Sequence, residues 1–260
     1  MKDERAAFEA AISSAMTQSG SCVTRFILLD ETMSTQDAAR IMCGGESGLL
    51  VVALRQTHGR GRLGREWADT SHLGLAATFV LPGSFAPDAL SIACGLAAAR
   101  ACDAFNTKPE HVIGVRWPND VVVTSQGVRE RKMSGVLIER SNDLYFAGVG
   151  INVRQQESDF PSELREKAVS LAMLGSKASR AEVGELLARE LSTALATDAD
   201  RLSKQWQRRD VLVNTRRAFM FDGRRVEGVV RSIDPSGSIA LETSEGSISL
   251  PAIFTSMIHE

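Results

Sequence analysis

The sequence has few of the residues that build metal centres and disulfide frameworks. It contains four cysteines and four histidines among 260 residues, and no two cysteines have the C-x-x-C spacing. This scarcity disfavours a structural zinc site and a thiol redox motif. In a chain of this length we interpret the cysteines as reduced, buried thiols, at Cys22, Cys43, Cys94 and Cys102.

Long hydrophobic runs and an excess of charge of one sign are also lacking. The most continuous apolar stretch, residues 90–99, is about half of the roughly 20 residues that a membrane helix needs, and no apolar signal-peptide segment follows Met1. Thirty Lys and Arg against 32 Asp and Glu give a net charge of −2, which argues against a general nucleic-acid or membrane-surface binder. We therefore expect a cytoplasmic protein that binds neither nucleic acid nor membrane.

What is present is a globular mixture of helix and strand patterns. Strands and helices do not alternate strictly, which predicts an α+β fold. The predicted helices lie at 5–16, after Ser34 and Thr35, at 87–105 and from the capping box that begins at Ser179. The predicted strands of the main body lie at 23–29, 49–54, 75–81, 112–117, 120–124, 133–139 and 145–153.

The pattern changes near Val211. From there, short alternating strands at 218–221, 226–233, 239–242 and 247–250 are separated by glycine-containing turns, which is typical of a small all-β module. We predict three parts: an N-terminal helical extension over 1–24, a main domain over 25–210 and a β module over 211–260.

The most informative segment is 56–67, which is rich in glycine and arginine. Its glycines are Gly59, Gly61 and Gly64, and its arginines are Arg60, Arg62 and Arg65. Glycine permits positive φ angles and a close approach of the backbone to a ligand, and guanidinium groups suit phosphate or carboxylate. We predict an anion-binding loop here. A solvent-exposed arginine-rich turn is the alternative for this segment taken alone.

Other nucleotide-binding motifs fit this segment poorly. The spacing Gly59-x-Gly61-x-x-Gly64 matches the dinucleotide fingerprint, but residues 67–72 have no helical pattern, and only Asp88 stands at about the right distance to hold a ribose. A P-loop is excluded because no Gly-Lys-Ser/Thr follows. A kinase glycine loop is excluded because no His-Arg-Asp or Asp-Phe-Gly follows.

Three further segments place polar or small residues at strand ends and turns. Pro118 favours an extended Trp117 and presents Asn119 and Asp120 at a turn. Lys132 is predicted at the start of a buried strand, with room for a ligand beside Gly135. Interior glycines at 148 and 150 mark a bulge or a close ligand approach, with an asparagine at 152. Each segment alone also has an ordinary structural interpretation, as a turn, a solvated strand end or a bulge.

Together, these motifs resemble those of the biotin–protein ligases, from about Phe26 to the C-terminus. The matching residues, in chain order, are Ser34-Thr35-Gln36, Gln56, Gly59-Arg60-Gly61-Arg62, Gly64-Arg65-x-Trp67, Trp117-Pro118-Asn119-Asp120, Lys132-x-x-Gly135-Val136-Leu137 and Gly148-x-Gly150-Ile151-Asn152. The resemblance implies a mixed β-sheet with packing helices, followed by a small SH3-like β-barrel. It also implies ATP-dependent formation of biotinyl-5′-AMP and transfer of biotin to a lysine of a biotin carboxyl carrier protein.

The resemblance also implies roles for individual residues. The implied catalytic residues are Lys132, Arg60 and Arg62. The implied biotin contacts are Ser34, Thr35, Gln56, Gly59, Arg60, Lys132 and Gly135. The implied ATP and adenylate contacts are Arg60, Arg62, Arg65, Trp67, Asn119, Asp120 and Asn152. Mg²⁺ is expected on the ATP phosphates, near Asn119 and Asp120, and the protein is expected to be a monomer or a homodimer.

Two departures and two alternatives accompany this interpretation. The family usually continues after its loop tryptophan with Ser-Pro-x-Gly-Asn, where this chain has a different sequence at 69–74. About 24 residues precede the first predicted strand, too few for the DNA-binding domain of repressor-type members. Lipoate–protein ligases share the implied fold but usually carry an Arg-Arg-x-Ser-Gly-Gly-Gly loop. A biotin-sensing regulator without catalysis is the second alternative.

Overall fold

The main body is built on a seven-stranded mixed sheet in the computed structural model, which describes residues 2–68, 72–125, 128–235 and 237–258. The strands are β1 Arg25–Leu29, β2 Leu49–Ala53, β3 Gly59–Arg60, β4 Glu66–Trp67, β5 Leu75–Pro82, β6 Val112–Arg116, β7 Asp120–Ser125, β8 Val128–Ser141 and β9 Leu144–Ile151. The sheet order is β1-β2-β5-β9-β8-β7-β6, and β3 and β4 form a separate hairpin. β1 and β2 are parallel, and the other neighbours are antiparallel, so the predicted mixed sheet is confirmed.

Helices cover both faces of this sheet. They are α1 Lys2–Met16, α2 Thr35–Met42, α3 Pro87–Ala104, α4 Arg180–Leu195 and α5 Ala199–Gln207. β2 shows the division, because its side chains alternate between the faces. Leu50 and Val52 belong to the large core with α1, α3 and α4, whereas Leu49 and Val51 pack with α2. A continuous apolar strand is therefore buried on both sides, as its sequence predicted.

The helix ends follow the capping signals in the sequence. The Ser34 hydroxyl accepts a hydrogen bond from the Gln36 backbone N–H and begins α2. Ser179 and Glu182 form the predicted capping box of α4. The sequence analysis did not predict α5, because only Leu202 and Trp206 of this short helix are buried, too few for a clear apolar period.

The C-terminal module is an antiparallel five-stranded sheet. Its strands are β10 Arg216–Phe221, β11 Arg224–Asp234, β12 Ser238–Thr243, β13 Gly246–Pro251 and β14 Thr255–Met257, in the order β13-β12-β11-β10-β14. This sheet is consistent with the predicted SH3-like module, although no pairing of β13 with β14 closes it into a barrel within the residues described. Phe219 packs edge-on against Trp117 of the main body at 6.4 Å between ring centroids. The predicted boundary at residue 211 stays a prediction.

Two expectations about single residues need correction. Lys132 lies inside β8, not at its start, because β8 begins at Val128. Cys22 is only half-buried, whereas the other three cysteines are buried, and all four are free thiols. Burial raises the pKa of the Cys94 thiol to about 12. In the described part of the chain, none of the helices combines the length and apolar character that crossing a membrane requires.

Candidate functional site

A cavity of about 500 Å³ lies between the main sheet, the β3–β4 hairpin and the C-terminal module. The site residues expected from the sequence line it, with the exception of Gly59. The chain differs from the usual family sequence at 69–74, and residues 69–71 of this stretch lie outside the described residues. Strands β8 and β9 form the floor of the cavity, and β10 and β14 contribute to its far wall.

One end of the cavity is a buried hydrogen-bond network. The Gln56 side-chain oxygen accepts from the Thr35 backbone N–H at 2.8 Å and from the Thr35 hydroxyl at 3.0 Å. The Thr35 hydroxyl in turn accepts from the Thr78 hydroxyl at 2.9 Å. These directed bonds fix the orientation of the Gln56 amide beside Ser34, which is buried as well. This end can exchange specific hydrogen bonds with a small polar group.

Gln36 adds an acceptor to the same end. Its side-chain nitrogen donates to the carbonyl oxygens of Leu137 and Phe146 at 3.1 and 3.2 Å. Its Oε1 is buried and has no hydrogen-bond partner among the described residues. Since buried polar atoms are nearly always paired, this oxygen fits a ligand that carries an N–H group.

In the middle of the cavity, the side chain of a tryptophan packs on two glycines of the sheet. Gly135 of β8 and Gly150 of β9 are paired in register. A Cβ atom at Gly150 would lie 2.5 Å from the Trp67 indole, and one at Gly135 would lie 3.0 Å from the Lys132 Nζ. Glycine is therefore required for Trp67 to lie on the sheet. The arrangement forms an apolar channel between the two ends of the cavity.

The other end is cationic and fixed by ion pairs. The Lys132 Nζ lies 2.6 Å from the Asp120 Oδ1 and 5.6 Å from the centre of the Trp67 ring. Arg116 binds the second Asp120 oxygen at 2.8 Å. Burial raises the pKa of the Asp120 carboxyl, but Lys132 and Arg116 outweigh this effect and bring it down to about 2. Asp120 is therefore ionised and holds Lys132 in place.

The loop arginines occupy three different places. Arg62 donates to the Asn119 side-chain oxygen at 3.4 Å and to the Ala252 carbonyl of the C-terminal module at 2.6 Å. Burial lowers the pKa of Arg62, and Asp120 opposes that effect. Arg60 contacts two carboxylates, Asp37 at 2.9 Å and Glu139 at 3.0 Å, and Arg65 is exposed at the cavity wall.

Of the three loop glycines, one uses the positive φ angle that glycine permits. Gly64 adopts φ 72°, next to Leu63 at φ 55°, whereas Gly59 and Gly61 are outside the positive range. Gly59 is needed for close packing instead, since a Cβ there would lie 2.6 Å from the Trp67 carbonyl oxygen. Its place behind the cavity explains why it does not line it.

The two asparagines brace the backbone around the cavity. Asn119 donates from its side chain to the Val136 carbonyl at 2.8 Å. Asn152 donates to the carbonyls of Lys132 and Val169 at 3.3 and 3.1 Å. Both also line the cavity. Asn119 therefore fixes the backbone of β8 at Val136, and Asn152 fixes it at Lys132.

Several residues of the site were missed in the sequence analysis. Thr78 stands alone as a polar residue in an apolar strand, and Arg116 directly precedes the Trp-Pro-Asn-Asp turn, so both gave a signal that could have been used. Glu130 and Arg217 gave none, because their importance depends on contacts between distant parts of the chain. In the ranges that the structure covers, no group of three His, Cys, Asp or Glu side chains could hold a metal ion.

Comparison with known proteins identifies the family of this chain. The model of the Biotin/lipoate A/B protein ligase family matches residues 26–155, half of the chain. The chain belongs to this family. The resemblance to biotin–protein ligases seen in the sequence motifs is confirmed by individual relatives.

Two curated relatives and one solved structure illustrate the similarity. The biotin–[acetyl-CoA-carboxylase] ligase of Mycobacterium tuberculosis is 32% identical over 214 residues, which cover 78% of this chain and 77% of the relative. The bifunctional ligase/repressor BirA of Bacillus subtilis is 30% identical over 84% of this chain and 69% of its own length. The biotin protein ligase of Aquifex aeolicus in complex with biotin and ATP superposes with a TM-score of 0.77 at 27% identity, covering 91% of this chain and 100% of that one.

Proposed function

We propose that this protein is an ATP-dependent biotin–protein ligase. It joins the biotin carboxylate to AMP, with release of pyrophosphate, and then transfers the biotinyl group to a lysine of a biotin carboxyl carrier protein. One observation carries the proposal: a single cavity has a neutral hydrogen-bonding end, an apolar channel under Trp67 and a fixed ammonium group at Lys132. Biotin has the same three parts, a ureido group, an apolar body and chain, and a carboxylate.

The neutral end is assigned to the biotin head group. Ser34, Thr35 and Gln56 face the ureido group, together with the backbone at Arg60, whereas Gly59 packs behind this end against the Trp67 carbonyl. The Gln36 Oε1, which has no partner in the part of the chain that the structure describes, accepts from a ureido N–H. The valeryl chain then follows the channel beside Gly135 toward Lys132.

The cationic end is assigned to the reaction. A biotin carboxylate oxygen attacks the α-phosphorus of ATP, the bond from that phosphorus to the bridging oxygen breaks, and pyrophosphate leaves. Two anions meet in this step, so cations fixed where charge develops lower the barrier. In this proposal Lys132 serves the carboxylate and the α-phosphate, and Arg62 and Arg60 act from the loop. Arg65, Trp67, Asn119, Asp120 and Asn152 form the nucleotide side.

The transfer step needs an acceptor amine and no further protein nucleophile. The neutral amine of the acceptor lysine attacks the acyl carbon of biotinyl-AMP, the bond from that carbon to the AMP oxygen breaks, AMP leaves with the electron pair, and the nitrogen releases one proton to solvent. Both Asp120 oxygens already bind cationic side chains, so the protein residues do not fit a direct metal site. Mg²⁺ is expected on the triphosphate alone.

We further propose a cytoplasmic location and a monomeric or homodimeric state.

The test is an ATP-dependent labelling assay. The full chain is incubated with a biotin carrier domain, ATP, Mg²⁺ and either biotin or lipoate, and pyrophosphate and labelled carrier are measured. We expect both products with biotin and neither without ATP. Labelling of the carrier with lipoate but not with biotin would make the protein a lipoate ligase. Biotin binding without pyrophosphate release would favour a biotin-sensing regulator.

A further inference from the structure

A chain of alternating charges leads from the cavity lysine into the C-terminal module. Lys132 binds Asp120 at 2.6 Å, and Asp120 binds Arg116 at 2.8 Å. Arg116 also faces Glu130 at 3.6 Å, and Glu130 forms an ion pair with Arg217 of β10. The signs run plus, minus, plus, minus, plus. Each inner member therefore has an opposite charge on either side.

This chain is shielded from solvent over most of its length. The Arg116 side chain is 6% exposed, and those of Asp120 and Glu130 are each 15% exposed. Arg217, at its end, also donates to the Thr215 hydroxyl at 3.1 Å. In such surroundings removal of one partner leaves an uncompensated charge that must find another contact. The Arg217 side chain itself is 29% exposed, but its loss falls on Glu130 and Arg116, which have little access to water.

We propose that Arg217 is a positioning residue for Lys132, acting through Glu130, Arg116 and Asp120; this inference rests on the proposed ligase function. Without Arg217, Glu130 has Arg116 as its one remaining cationic partner among these five residues. Glu130 then draws Arg116 away from Asp120. Asp120 then depends on Lys132 for its remaining charge compensation. The ammonium group, which already lies 2.6 Å from the Asp120 carboxylate, is then held there more strongly and turns less readily to the substrate phosphate, so adenylate formation slows.

The C-terminal module is thus part of the active-site geometry and not only a wall of the cavity. A second link crosses the cavity mouth, where Arg62 donates to the Ala252 carbonyl. The two links join the module to the cavity at different points, one to the β8 side and one to the hairpin side. Docking of the module and placement of the cations are therefore coupled.

The experiment compares Arg217→Met with Arg231→Met, each alone and in the Lys132→Ala background. Arg231 is a matched control, since it pairs at 3.3 Å with Glu242 in the same module but outside the chain of charges. Biotinyl-AMP formation is followed by pyrophosphate release at varied biotin and ATP. We expect Arg217→Met to lower kcat about 10- to 100-fold, the scale of a misplaced catalytic group, with the KM for biotin unchanged. Arg231→Met should match the parent.

The double variants separate positioning from a direct role. If Arg217 acts through Lys132, Arg217→Met causes no further loss in the Lys132→Ala background, because the two effects are not additive. The same fold loss in both backgrounds, or a loss confined to the KM for ATP, would overturn the inference and assign Arg217 to the nucleotide. Arg217→Lys retains the charge and should recover most of kcat. Arg217→Gln, which also removes the charge, replaces Arg217→Met if that variant does not fold. A parent without pyrophosphate release overturns the proposed function and this inference together, whereas an active parent with unaffected Arg217 variants overturns this inference alone.

Discussion

At the scale of single residues, Lys132 concentrates most of the expected chemistry. Its ammonium group contacts one carboxylate and one indole ring, so its position is fixed before substrate binds. We expect Lys132→Ala to fold and to lose adenylate formation by at least about 10², the scale of one transition-state charge donor. Single-turnover synthesis of biotinyl-AMP measures the loss. The control is Lys204→Ala, at an exposed lysine of α5. An unchanged rate in Lys132→Ala would remove Lys132 from the mechanism.

Asp120 makes a prediction about the pH dependence of stability. Its pKa is lowered from 3.8 to about 2 by Lys132 and Arg116, against the opposing effect of burial. The unfolded chain therefore binds more protons in this range, and the stabilisation present above pH 3.8 is lost as the pH falls toward 2. We expect the unfolding free energy of Asp120→Asn to depend less steeply on pH across this window. Urea unfolding at several pH values tests this, and Asp143→Asn, at a fully exposed carboxylate, should keep the parent slope.

At the scale of elements, the β3–β4 hairpin carries its arginines in unequal positions. Arg62 lies in the cavity, whereas Arg60 is partly neutralised by Asp37 and Glu139. Both Arg62→Gly and Arg60→Gly should weaken retention of biotinyl-AMP more than binding of biotin, with the larger effect at Arg62. Loss of a charge-assisted contact of about 1.5–3 kcal/mol corresponds to roughly 10- to 150-fold weaker retention of biotinyl-AMP.

The leaked adenylate gives a direct readout of this prediction. It is a diffusible acylating agent, so the variants should biotinylate lysines of an unrelated protein that the parent leaves unlabelled. Incubation with biotin, ATP and a lysine-rich bystander, followed by a streptavidin blot, measures it. Parent-like retention and a clean bystander would make these arginines ordinary surface charges.

The glycine floor of β8 and β9 gives a steric prediction. A Cβ at Gly150 would lie 2.5 Å from the Trp67 ring, so Gly150→Ala must displace the indole from the sheet. Overpacking of this kind costs about 1–3 kcal/mol, and we expect weaker binding of a stable biotinyl-AMP analogue on that scale. Calorimetry compares this variant with Gly237→Ala, where a Cβ meets nothing within 4 Å. Equal affinities would show that the ring does not depend on this glycine.

The elements themselves were predictable to different degrees. Long strands and helices follow from apolar periodicity, and the strands predicted at 49–54 and 75–81 differ from β2 and β5 by one residue each. The β3–β4 hairpin was not predicted as strand, because two-residue strands rich in glycine and arginine have no periodicity to detect. Lys132 was placed at a strand start because the charged residues before it concealed the continuation of β8 to Val128.

At the scale of the whole molecule, the fold class followed from the motifs, but the coupling between its parts did not. Phe219 and Leu241 of the C-terminal module share one core with the main body. Arg217 reaches Glu130 across that contact. Sequence spacing shows neither contact, since both depend on how the main body and the C-terminal module pack against each other. The hydrophobic core is therefore continuous across the boundary predicted at residue 211.

A continuous core makes global stability a readout of which acid the cavity accepts. A ligand that binds only the folded state at 100 times its Kd adds about 2.7 kcal/mol to the unfolding free energy. For a chain of this size that corresponds to a Tm increase of about 5–10 °C. We expect biotin to give this increase and lipoate not, because the buried network of Gln56, Thr35 and Gln36 presents partners for a ureido group that the dithiolane ring of lipoate lacks. Thermal unfolding with matched ligand series tests this, and the variant Thr35→Val should lose the response to biotin. Equal protection by both acids would show that the polar end of the cavity does not select the head group.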